Sequence, residues 1–496
     1  MANKFLNGLN ATNDFIYTEN GAVARSSTGS KLYDMFALGG AYRTRSDDDC
    51  ILLFKNAYEE NPVYALKCLF YLGDARGGQG ERRFFRVCAK WLAKNHTDVM
   101  RRNLPHVPEF RRWDDLYTFV GTPLENEMFQ MIKHQLALDV ECKTPSLLAK
   151  WLKSENTSSK ESRELGKLTR SYLGLTSKQY RKILSNLRAR INVLERLMSQ
   201  KRWDEIEFDK IPSRAGIIYR NAFARHDIER ERNAQVQTYA DFARDANTKV
   251  NASVLYPYEC VAKGYSTRYN DETGRLMLEK YWDNLADYFK GASFNGMAIV
   301  DTSGSMWGSS ESAPLNVAVS LGMYCAEKAK GPFAGHFMTF NTWPKFVKIE
   351  GTDFWDKIHR MRNADWGGST NVESAFDLML TTALQYNCSQ EEIPENLIII
   401  SDMEFNHCIT GGNYQGVTET LFETIEKRWN NAGYKMPHLV FWNVQARQNN
   451  IPMRDTPHVT YVSGFSPAIF EQIMKGKSAW DLMMDKLDSD RYSVIK

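Results

Sequence analysis

Five short and almost continuously apolar segments in the last two-fifths of the chain constrain its fold more than any other feature. The first, Met297-Ala298-Ile299-Val300, ends on Asp301. Apolar runs of this length are typical of strands buried on both faces, and helical stretches separate them. This order predicts a doubly wound α/β domain with a parallel sheet. The predicted strands are 297–301, 335–340, 397–401, 438–443 and 459–462, and the predicted helices are 314–329, 371–385 and 417–431.

The chain before the first of these strands has a helical pattern instead. Between about residues 32 and 288, apolar residues recur at helical spacing, and few runs alternate as strands do. Phe84, Cys88 and Leu92, for example, fall on one helical face. A chain of 496 residues is also too long for a single core. We therefore predict a multidomain α plus α/β protein, with an α-helical domain over residues 1–290 and the α/β domain over residues 291–496.

The composition narrows the environment in which the chain works. Its formal charge of +3 is close to balance, so the total by itself predicts neither a nucleic-acid nor a membrane partner. Eight cysteines are scattered without a C-x-x-C pair, which favours a reducing compartment. No apolar run approaches the ~18 residues of a membrane span, and the first residues lack the basic lead and apolar run of a signal peptide. We expect a cytoplasmic protein without a membrane partner.

Oxygen-bearing side chains follow two of the predicted strands and fill a loop between them. Asp301 closes the first strand and opens the loop with Ser303 and Ser305, Asp402 follows the third strand, and Thr370 lies in a glycine-rich loop. Because ligands bind such sheets at the carboxyl ends of the strands, we expect these side chains to converge. Hard oxygens without thiolate or imidazole select Mg²⁺, or Mn²⁺ or Ca²⁺. Since only two members are charged, the metal should keep a position that an acidic ligand can take.

The same residues resemble the complete metal-ion-dependent adhesion site of von Willebrand factor A domains. The matching elements are Asp301-Thr302-Ser303-Gly304-Ser305, then Thr370, then Asp402. The resemblance implies that the two serines and the threonine touch the metal and that the two aspartates act directly or through water. The alternative is a helix-capping turn, because Asp, Ser and Thr favour such places. Three matching elements in the right order favour the metal site.

Basic residues are concentrated in the helical half, although the whole chain is nearly balanced. The stretch 165–202 holds ten basic residues against the single acid Glu195. Lys and Arg neutralise phosphates and give salt-dependent, largely sequence-independent affinity for RNA. The alternative is a solvated helix face whose other side packs into the core. The predicted RNA contacts are Arg76, Arg82, Arg111, Arg112, Lys178, Arg181, Lys182, Arg188 and Arg190, with Tyr180 and Trp203 as candidates for base stacking. For each of these two aromatic residues, a place in the core is the favoured alternative.

Four short motifs resemble the Ro ribonucleoprotein, or TROVE-like, family, and in particular its bacterial and phage members. In this family a ring of HEAT-like helical repeats carries a von Willebrand factor A domain, so the resemblance implies that architecture here. It also implies binding of misfolded or small structured RNA. The motifs are Arg76-Gly77-Gly78-Gln79-Gly80-Glu81-Arg82, Leu148-Ala149-Lys150-Trp151, Tyr180-Arg181-Lys182 and Ser401-Asp402-Met403-Glu404-Phe405.

Two functional hypotheses follow from the sequence. The first is a non-enzymatic RNA-binding protein that takes structured RNA or RNA with single-stranded ends and carries a Mg²⁺-dependent ligand-binding domain. The alternative is a metal-dependent protein-interaction module that grips an acidic residue of a partner, with the helical half as scaffold. An enzyme is disfavoured, because a hydroxyl-rich site lacks a second metal cluster and only Glu404 and His407 are nearby candidates for a base. A chelatase-like subunit would fit only the second half of the chain.

Overall fold

The computed structural model describes residues 15–233, 235–362, 366–406, 419–453, 456, 458–475 and 478–496. A short antiparallel hairpin, β1 (Phe15–Tyr17) and β2 (Val23–Arg25), comes first in the chain. A six-stranded sheet forms the centre of the carboxy-terminal part. Its strands are β3 (Gly296–Asp301), β4 (His336–Phe340), β5 (Lys345–Lys348), β6 (Asn396–Ser401), β7 (His438–Asn443) and β8 (Val459–Ser463).

The strand order is β5-β4-β3-β6-β7-β8. All five predicted strands are present and parallel, but β5 pairs with β4 in the antiparallel sense, so the sheet is mixed rather than parallel throughout. The turn over residues 341–344 is too short for the crossover that a parallel neighbour needs. Lys345-Phe346-Val347-Lys348 also lacks an apolar run, because it lies at the edge of the sheet and is mostly exposed.

Successive residues of the central strands face two different cores. Met297 and Ile299 point to one core, which also contains residues from the helices Val372–Gln385 and Leu421–Asn431. Ala298 and Val300 point to the other core. The helix Pro314–Lys328 packs in this second core together with Phe354–Arg362 and Ile469–Ile473. Both faces are therefore covered, which explains why these strands are apolar without alternation.

The chain from Lys31 to Asp283 is helical, as predicted. Its helices up to Leu187 extend the first core, and those after Leu194 extend the second. HEAT-like repeats and ring closure stay predictions. The helices are Lys31–Leu38, Asp47–Glu60, Pro62–Gly73, Arg82–Asn95, Thr97–Asn103, Val107–Phe110, Glu125–Glu141, Leu148–Trp151, Lys160–Tyr172, Ser177–Arg190, Leu194–Ser199, Ser213–Arg225, Asp227–Glu231, Tyr239–Arg244, Pro257–Ser266 and Glu272–Asp283, and Ala479–Leu487 lies near the carboxy terminus.

Residues near both ends of the chain make contacts between the two parts that the predicted boundary at 290/291 separates. The boundary itself stays a prediction. Near the start, Arg25 pairs with Ile451 through backbone hydrogen bonds. Near the end, the Arg491 guanidinium and the Tyr492 hydroxyl both donate to Asp74 in the helical half. Within the described ranges, no helix has both the length and the apolar character needed to span a bilayer.

Candidate metal site and basic groove

Asp301 is the last residue of β3 and lies beside Ser401, the last residue of β6. Its carboxylate is fully buried. Oδ1 accepts a hydrogen bond from the Ser303 backbone N–H at 2.9 Å, and Oδ2 accepts one from Ser401 Oγ at 2.5 Å. Ser303 Oγ in turn lies 3.2 Å from Ser305 Oγ. The strand end and the loop after it thus gather three of the five predicted ligands.

Asp402 follows β6 directly and is also buried. Its Oδ1 accepts a hydrogen bond from the Glu404 backbone N–H at 3.2 Å, and the Ser305 hydroxyl bonds its carboxylate. Oδ2 accepts no hydrogen bond of normal geometry, although Arg447 Nε lies 3.3 Å away. The next residue, Met403, has a φ of 65°, a strained conformation for a residue with a side chain and one that occurs at functional sites.

The loop that carries Thr370 is joined to the Ser303 loop by backbone hydrogen bonds. Gly367 N–H donates to Thr302 O at 2.9 Å, and Gly304 N–H donates to Gly368 O at 3.1 Å. At Gly368 a Cβ would lie 2.3 Å from a threonine hydroxyl of the loop after β4, and φ is +90°, so a side chain is excluded there. These contacts fix Thr370, which is 2% exposed, beside the other two elements.

Burial dominates the electrostatics of this cluster. Burial, followed by the negative charge of Asp402, raises the pKa of Asp301 to about 7. Burial also raises the pKa of Asp402, although the Ser305 hydroxyl and the Arg447 charge act to lower it. The pKa of Glu404 is raised by burial to about 7. Carboxylates that are this poorly solvated are stabilised by a divalent cation.

The donors fit a hard divalent metal. They are oxygens only, and Asp402 Oδ2 is a buried acceptor without a hydrogen bond. Within the described ranges, no group of three or more His, Cys, Asp or Glu side chains is placed to hold a metal, so hydroxyls are essential to this set. The metal assignment of Asp301, Ser303, Ser305, Thr370 and Asp402 stays a prediction. The candidate base His407 lies outside the described residues.

The amino-terminal segment lies directly against this cluster, which the sequence did not predict. Thr18 Oγ1 donates to Phe405 O at 2.6 Å, and the Glu19 backbone N–H donates to Glu404 Oε2 at 2.7 Å. The Asn20 amide donates to Glu404 O at 2.5 Å and reaches Thr370 Oγ1 at 3.4 Å. Residues 18–20 therefore contact the predicted ligand Thr370. They also contact the backbone of residues 404 and 405, which follow the predicted ligand Asp402.

A groove of about 950 Å³ opens in the helical half. Its lining comes from the helices Leu148–Trp151, Ser177–Arg190, Leu194–Ser199 and Ser213–Arg225. Its acids are Glu155, which is paired with Arg170, and Glu195. Its basic side chains are Arg112, Lys150, Arg181, Arg188, Arg196 and Arg214. The lining is therefore positive.

Three of the nine predicted RNA contacts line this groove. Arg112 lies over the Trp151 ring at 3.9 Å and pairs with Asp114. Arg181 is exposed on its helix. Arg188 donates to the carbonyl oxygens of Ala149 and Leu152 and to a serine hydroxyl, so its hydrogen-bond partners among the described residues are all neutral.

Arg111 was predicted to contact RNA, and this prediction is wrong for the described structure. Its side chain is 1% exposed and pairs with the equally buried Asp115 at 3.1 Å. It also donates to the backbone oxygens of Glu81 and Arg82. Burial lowers the pKa of Arg111 to about 10 and that of Asp115 is held at about 2 by the surrounding arginines. Arg111 therefore stabilises the fold and cannot reach a phosphate.

The remaining predicted contacts lie outside the groove. Arg82 is half-buried in ion pairs with Asp115 and Asp114. Arg76 and Arg190 are exposed and donate to backbone oxygens at helix ends, and Lys178 and Lys182 are exposed beyond the groove wall.

The core alternative holds for the two aromatic residues, and sequence patterns missed several cations. Tyr180 is buried with its hydroxyl on Lys153 O, and Trp203 is buried and stacked on His226, so neither can stack on a base. The groove instead exposes part of Trp151. The basic groove residues that were not predicted are Lys150, Arg196 and Arg214. Lys150 lies in the Leu148-Ala149-Lys150-Trp151 motif and Arg196 in the basic stretch, but only packing brings both to the same groove.

Comparisons with known proteins cover both parts of the chain. The Domain of unknown function (DUF2828) matches residues 18–146 and 142–292, and the Domain of unknown function (DUF7788) matches residues 295–492. Uncharacterized protein L728 of Acanthamoeba polyphaga mimivirus is 32% identical over 503 residues, which cover 93% of this chain and 85% of the viral protein. The crystal structure of the Deinococcus radiodurans RO (RSR) protein is similar with 13% identity and a TM-score of 0.45, over 93% of this chain and 99% of that chain.

Proposed function

This chain belongs to the DUF2828 family, and we propose that it is a non-enzymatic RNA-binding protein with a Mg²⁺-dependent, ligand-binding domain of the von Willebrand factor A type. The basic groove is the observation that carries the RNA part of this proposal. Among the described residues, its side chains Lys150, Arg181, Arg188 and Arg196 form no ion pair with a carboxylate. Their charge is therefore available to a polyanion.

A concave surface strengthens the effect of these charges. Low-dielectric walls focus the positive potential inside a groove, which raises the local concentration of an anionic ligand. Arg188 is the most rigid of the four, because its guanidinium is held by three neutral oxygens from the residues around Leu152. A phosphate that reaches this wall meets a cation that needs little rearrangement to bind it.

Trp151 favours RNA with unpaired bases. The Arg112 guanidinium covers one part of its ring, and the half-buried ring contributes to the groove surface. A flat aromatic and guanidinium surface can stack on a base of any type. Because the bases of a duplex are already stacked, we propose that single-stranded ends or loops are the bound segments.

A salt titration tests this proposal. Filter binding of a short RNA duplex with a single-stranded 3′ extension should give a slope of log affinity against log salt near about −3, since four cations each contribute about −0.7. A blunt duplex of the same length should bind more weakly, because it offers no unpaired base. Absence of binding at low salt, or a slope near zero, would refute an RNA function.

The metal part of the proposal assigns Mg²⁺ to the five predicted ligands, and the bound ion would attract an anionic oxygen. The chain's own contribution is to orient those ligands. Ser401 and the Ser303 N–H hold both oxygens of Asp301, while Ser305 and the Glu404 N–H hold Asp402. Hydrogen bonds that fix the orientation of the two carboxylates keep such a ligand set in place.

Two exposed tryptophans favour the alternative function, a metal-dependent protein-interaction module. Trp307 follows the Ser305 loop and is 50% exposed, and Trp343 follows β4 and is 74% exposed. Tryptophan contributes strongly to the binding energy of protein interfaces. If a protein partner binds here, Trp343→Ser should weaken its capture at least about tenfold, chelator should weaken capture as well, and RNA affinity should not change. If neither Trp343→Ser nor chelator weakens capture, the alternative function at this surface is refuted.

A further inference from the structure

Four basic side chains surround one buried carboxylate, that of Asp114, beside the groove. Their cationic nitrogens lie 2.8, 3.4, 3.6 and 3.8 Å from Asp114 Oδ2 and belong to Arg112, Arg82, Lys153 and Arg86, respectively. The side chain of Asp114 is 6% exposed, whereas those of the four cations are 27–39% exposed. We call these four basic residues the Asp114 cluster. A ligand in solvent can therefore reach the cations, although the carboxylate is buried beneath them.

We infer that the Asp114 cluster binds the phosphomonoester group at the end of an RNA strand. This inference rests on the proposed RNA function and narrows its ligand to strands that carry a terminal phosphate. The unpaired groove cations contact the internal phosphates of the same strand, and the Asp114 cluster contacts the phosphate at its end.

The cluster carries more positive charge than its acids can neutralise. A second acid, Asp115, is also buried. Its partners are Arg82, Arg86 and the buried Arg111. Among the described residues, five cations therefore share two carboxylates, which leaves an excess of three positive charges. Burial lowers the pKa of Arg112, and the charge of Arg82 acts in the same direction. Like charges this close repel one another, and a bound anion relieves the repulsion.

The acids that neighbour the cluster in the chain do not remove this excess. Glu81 precedes Arg82, but its carboxylate pairs with Arg43 at 3.0 Å. Glu155 follows the cluster's lysine by two positions, but it pairs with Arg170 at 2.8 Å. The excess positive charge is therefore available to a ligand.

The cluster also keeps hydrogen-bond donors that the two aspartates do not use. Arg112 donates to Asp114 through Nε and Nη2, Arg82 donates through Nη2, and Arg86 donates through Nε. Within the described part of the chain, Nη1 of these three arginines and Nζ of Lys153 donate no hydrogen bond. Phosphate oxygens are strong acceptors for guanidinium and ammonium donors of this kind.

Arg112 joins the cluster to the surface that we propose for base stacking. Its Cζ lies 3.9 Å from the centre of the Trp151 ring, and both residues line the groove. A nucleotide whose base stacks on Trp151 therefore brings its own phosphate to the neighbouring cluster. Stacking on an aromatic ring adds to the affinity, and inorganic phosphate lacks this contribution. The neighbouring ring thus favours a nucleotide over a free phosphate ion.

The size of the charge excess favours a terminal phosphate over an internal one. A phosphomonoester carries about −1.5 to −2 charges at pH 7 and has three strong acceptor oxygens. An internal phosphodiester carries one negative charge. The attraction to the same group of cations rises in proportion to the charge of the ligand. The dianion therefore gains more from the Asp114 cluster than an internal phosphate does.

Filter binding of one single-stranded RNA in four forms tests this inference. The forms end in hydroxyl groups, in a 5′-phosphate, in a 3′-phosphate, or in the methyl ester of the preferred phosphate. The wild type should bind one phosphorylated form about tenfold more tightly than the hydroxyl form, because charge-assisted hydrogen bonds are added. The methyl ester carries one negative charge and should lose most of this preference.

Lys153→Gln is the most direct variant. The Lys153 ammonium lies 3.6 Å from Asp114 and donates no hydrogen bond within the described ranges, so the fold should be retained. The preference for the terminal phosphate should fall at least about threefold, and the affinity for hydroxyl-ended RNA should not change. Arg86→Gln should lower the preference as well. Because Arg86 pairs with the buried Asp115, the melting temperature of this variant is measured alongside.

Two further variants separate the cluster from general surface charge and from the groove. Lys55 is 51% exposed and pairs with Glu59 on the helix Asp47–Glu60, and it does not line the groove. Lys55→Gln should keep the affinity for every RNA form. Arg181→Ala removes a groove cation. It should weaken the binding of phosphate-ended and hydroxyl-ended RNA equally, so the preference should stay as in the wild type.

The failure of this inference and the failure of the RNA function give different results. If the wild type binds all forms equally well, the RNA function stands and the cluster is not a site for a terminal phosphate. A preference that persists in Lys153→Gln and Arg86→Gln would place the phosphate elsewhere and refute the inference. Equal affinity for the methyl ester and the free phosphate would also refute it. If no form binds at low salt, the RNA function itself is refuted, and the inference falls with it.

Discussion

A variant that replaces Lys150, Arg181 and Arg196 with alanine should lose RNA affinity roughly 50-fold at about 0.15 M salt, and its salt slope should be less steep by about 2. The reason is that these three side chains line the groove and form no ion pair among the described residues. The fold should be retained, because none of the three makes a buried polar contact. Filter binding against the RNA with the single-stranded extension measures the change.

The matched control removes the same charge from the neighbouring surface. Lys167, Lys178 and Lys182 are exposed on the helices Lys160–Tyr172 and Ser177–Arg190, but they do not line the groove. Their triple alanine variant should keep most of the affinity. If the control loses as much affinity as the groove variant, RNA binds the solvated helix face that includes Lys178 and Lys182, and the groove is not the binding site.

Asp301→Asn should abolish the stabilisation by Mg²⁺. At a Mg²⁺ concentration 100 times Kd, a bound ligand stabilises the fold by about 2.7 kcal/mol. The rise in melting temperature that this stabilisation causes in the wild type should be absent in the variant. The affinity for RNA should not change, because the groove lies in the helical half. Asp139 is a buried aspartate that accepts from Ser146, so Asp139→Asn is the control and should keep the Mg²⁺ response.

The pH dependence of the melting temperature, measured with and without Mg²⁺, tests whether the burial of the Asp301 charge controls the stability of the site. The pKa of Asp301 is raised by burial to about 7, so the folded chain holds this proton more tightly than the unfolded chain does. Its contribution to stability is present at low pH and is lost as the pH rises through about 7. The metal-free protein should therefore melt lower at about pH 8 than at about pH 5.5, and Mg²⁺ should stabilise it more at the higher pH. Metal-free Asp301→Asn should melt higher than the wild type at about pH 8, and a lower melting temperature would contradict this account.

The sequence predicted the central sheet well because each of its parallel strands is buried on both faces. A continuous apolar run such as Leu397-Ile398-Ile399-Ile400 is a local property of the chain and is visible without coordinates. The edge strand Lys345–Lys348 was missed for the opposite reason, since it is mostly exposed and has no apolar run. The helix expected over 417–431 begins at Leu421, because Thr420 caps it and bonds Glu423 N–H; residues 417 and 418 lie outside the described residues.

The RNA contacts show where sequence patterns are insufficient. Arg111 and Arg112 are adjacent and equally basic in the sequence, yet one is buried against Asp115 and the other lies over Trp151 at the groove. The difference comes from their neighbours in space. Arg196 was not predicted as a contact, and it joins the groove because the helices Ser177–Arg190 and Leu194–Ser199 both line it.

The sequence by itself determined the α/β order and the identity of the five oxygen-bearing residues, because strand ends and the loops after them are encoded in neighbouring positions. Only the tertiary structure decided which charges are buried, which are free to bind, and that Arg447 pairs with both Glu19 and Asp402. The physical reason is distance along the chain. Burial and ion pairing depend on residues that are hundreds of positions apart, and no local pattern specifies which of them the packing brings together.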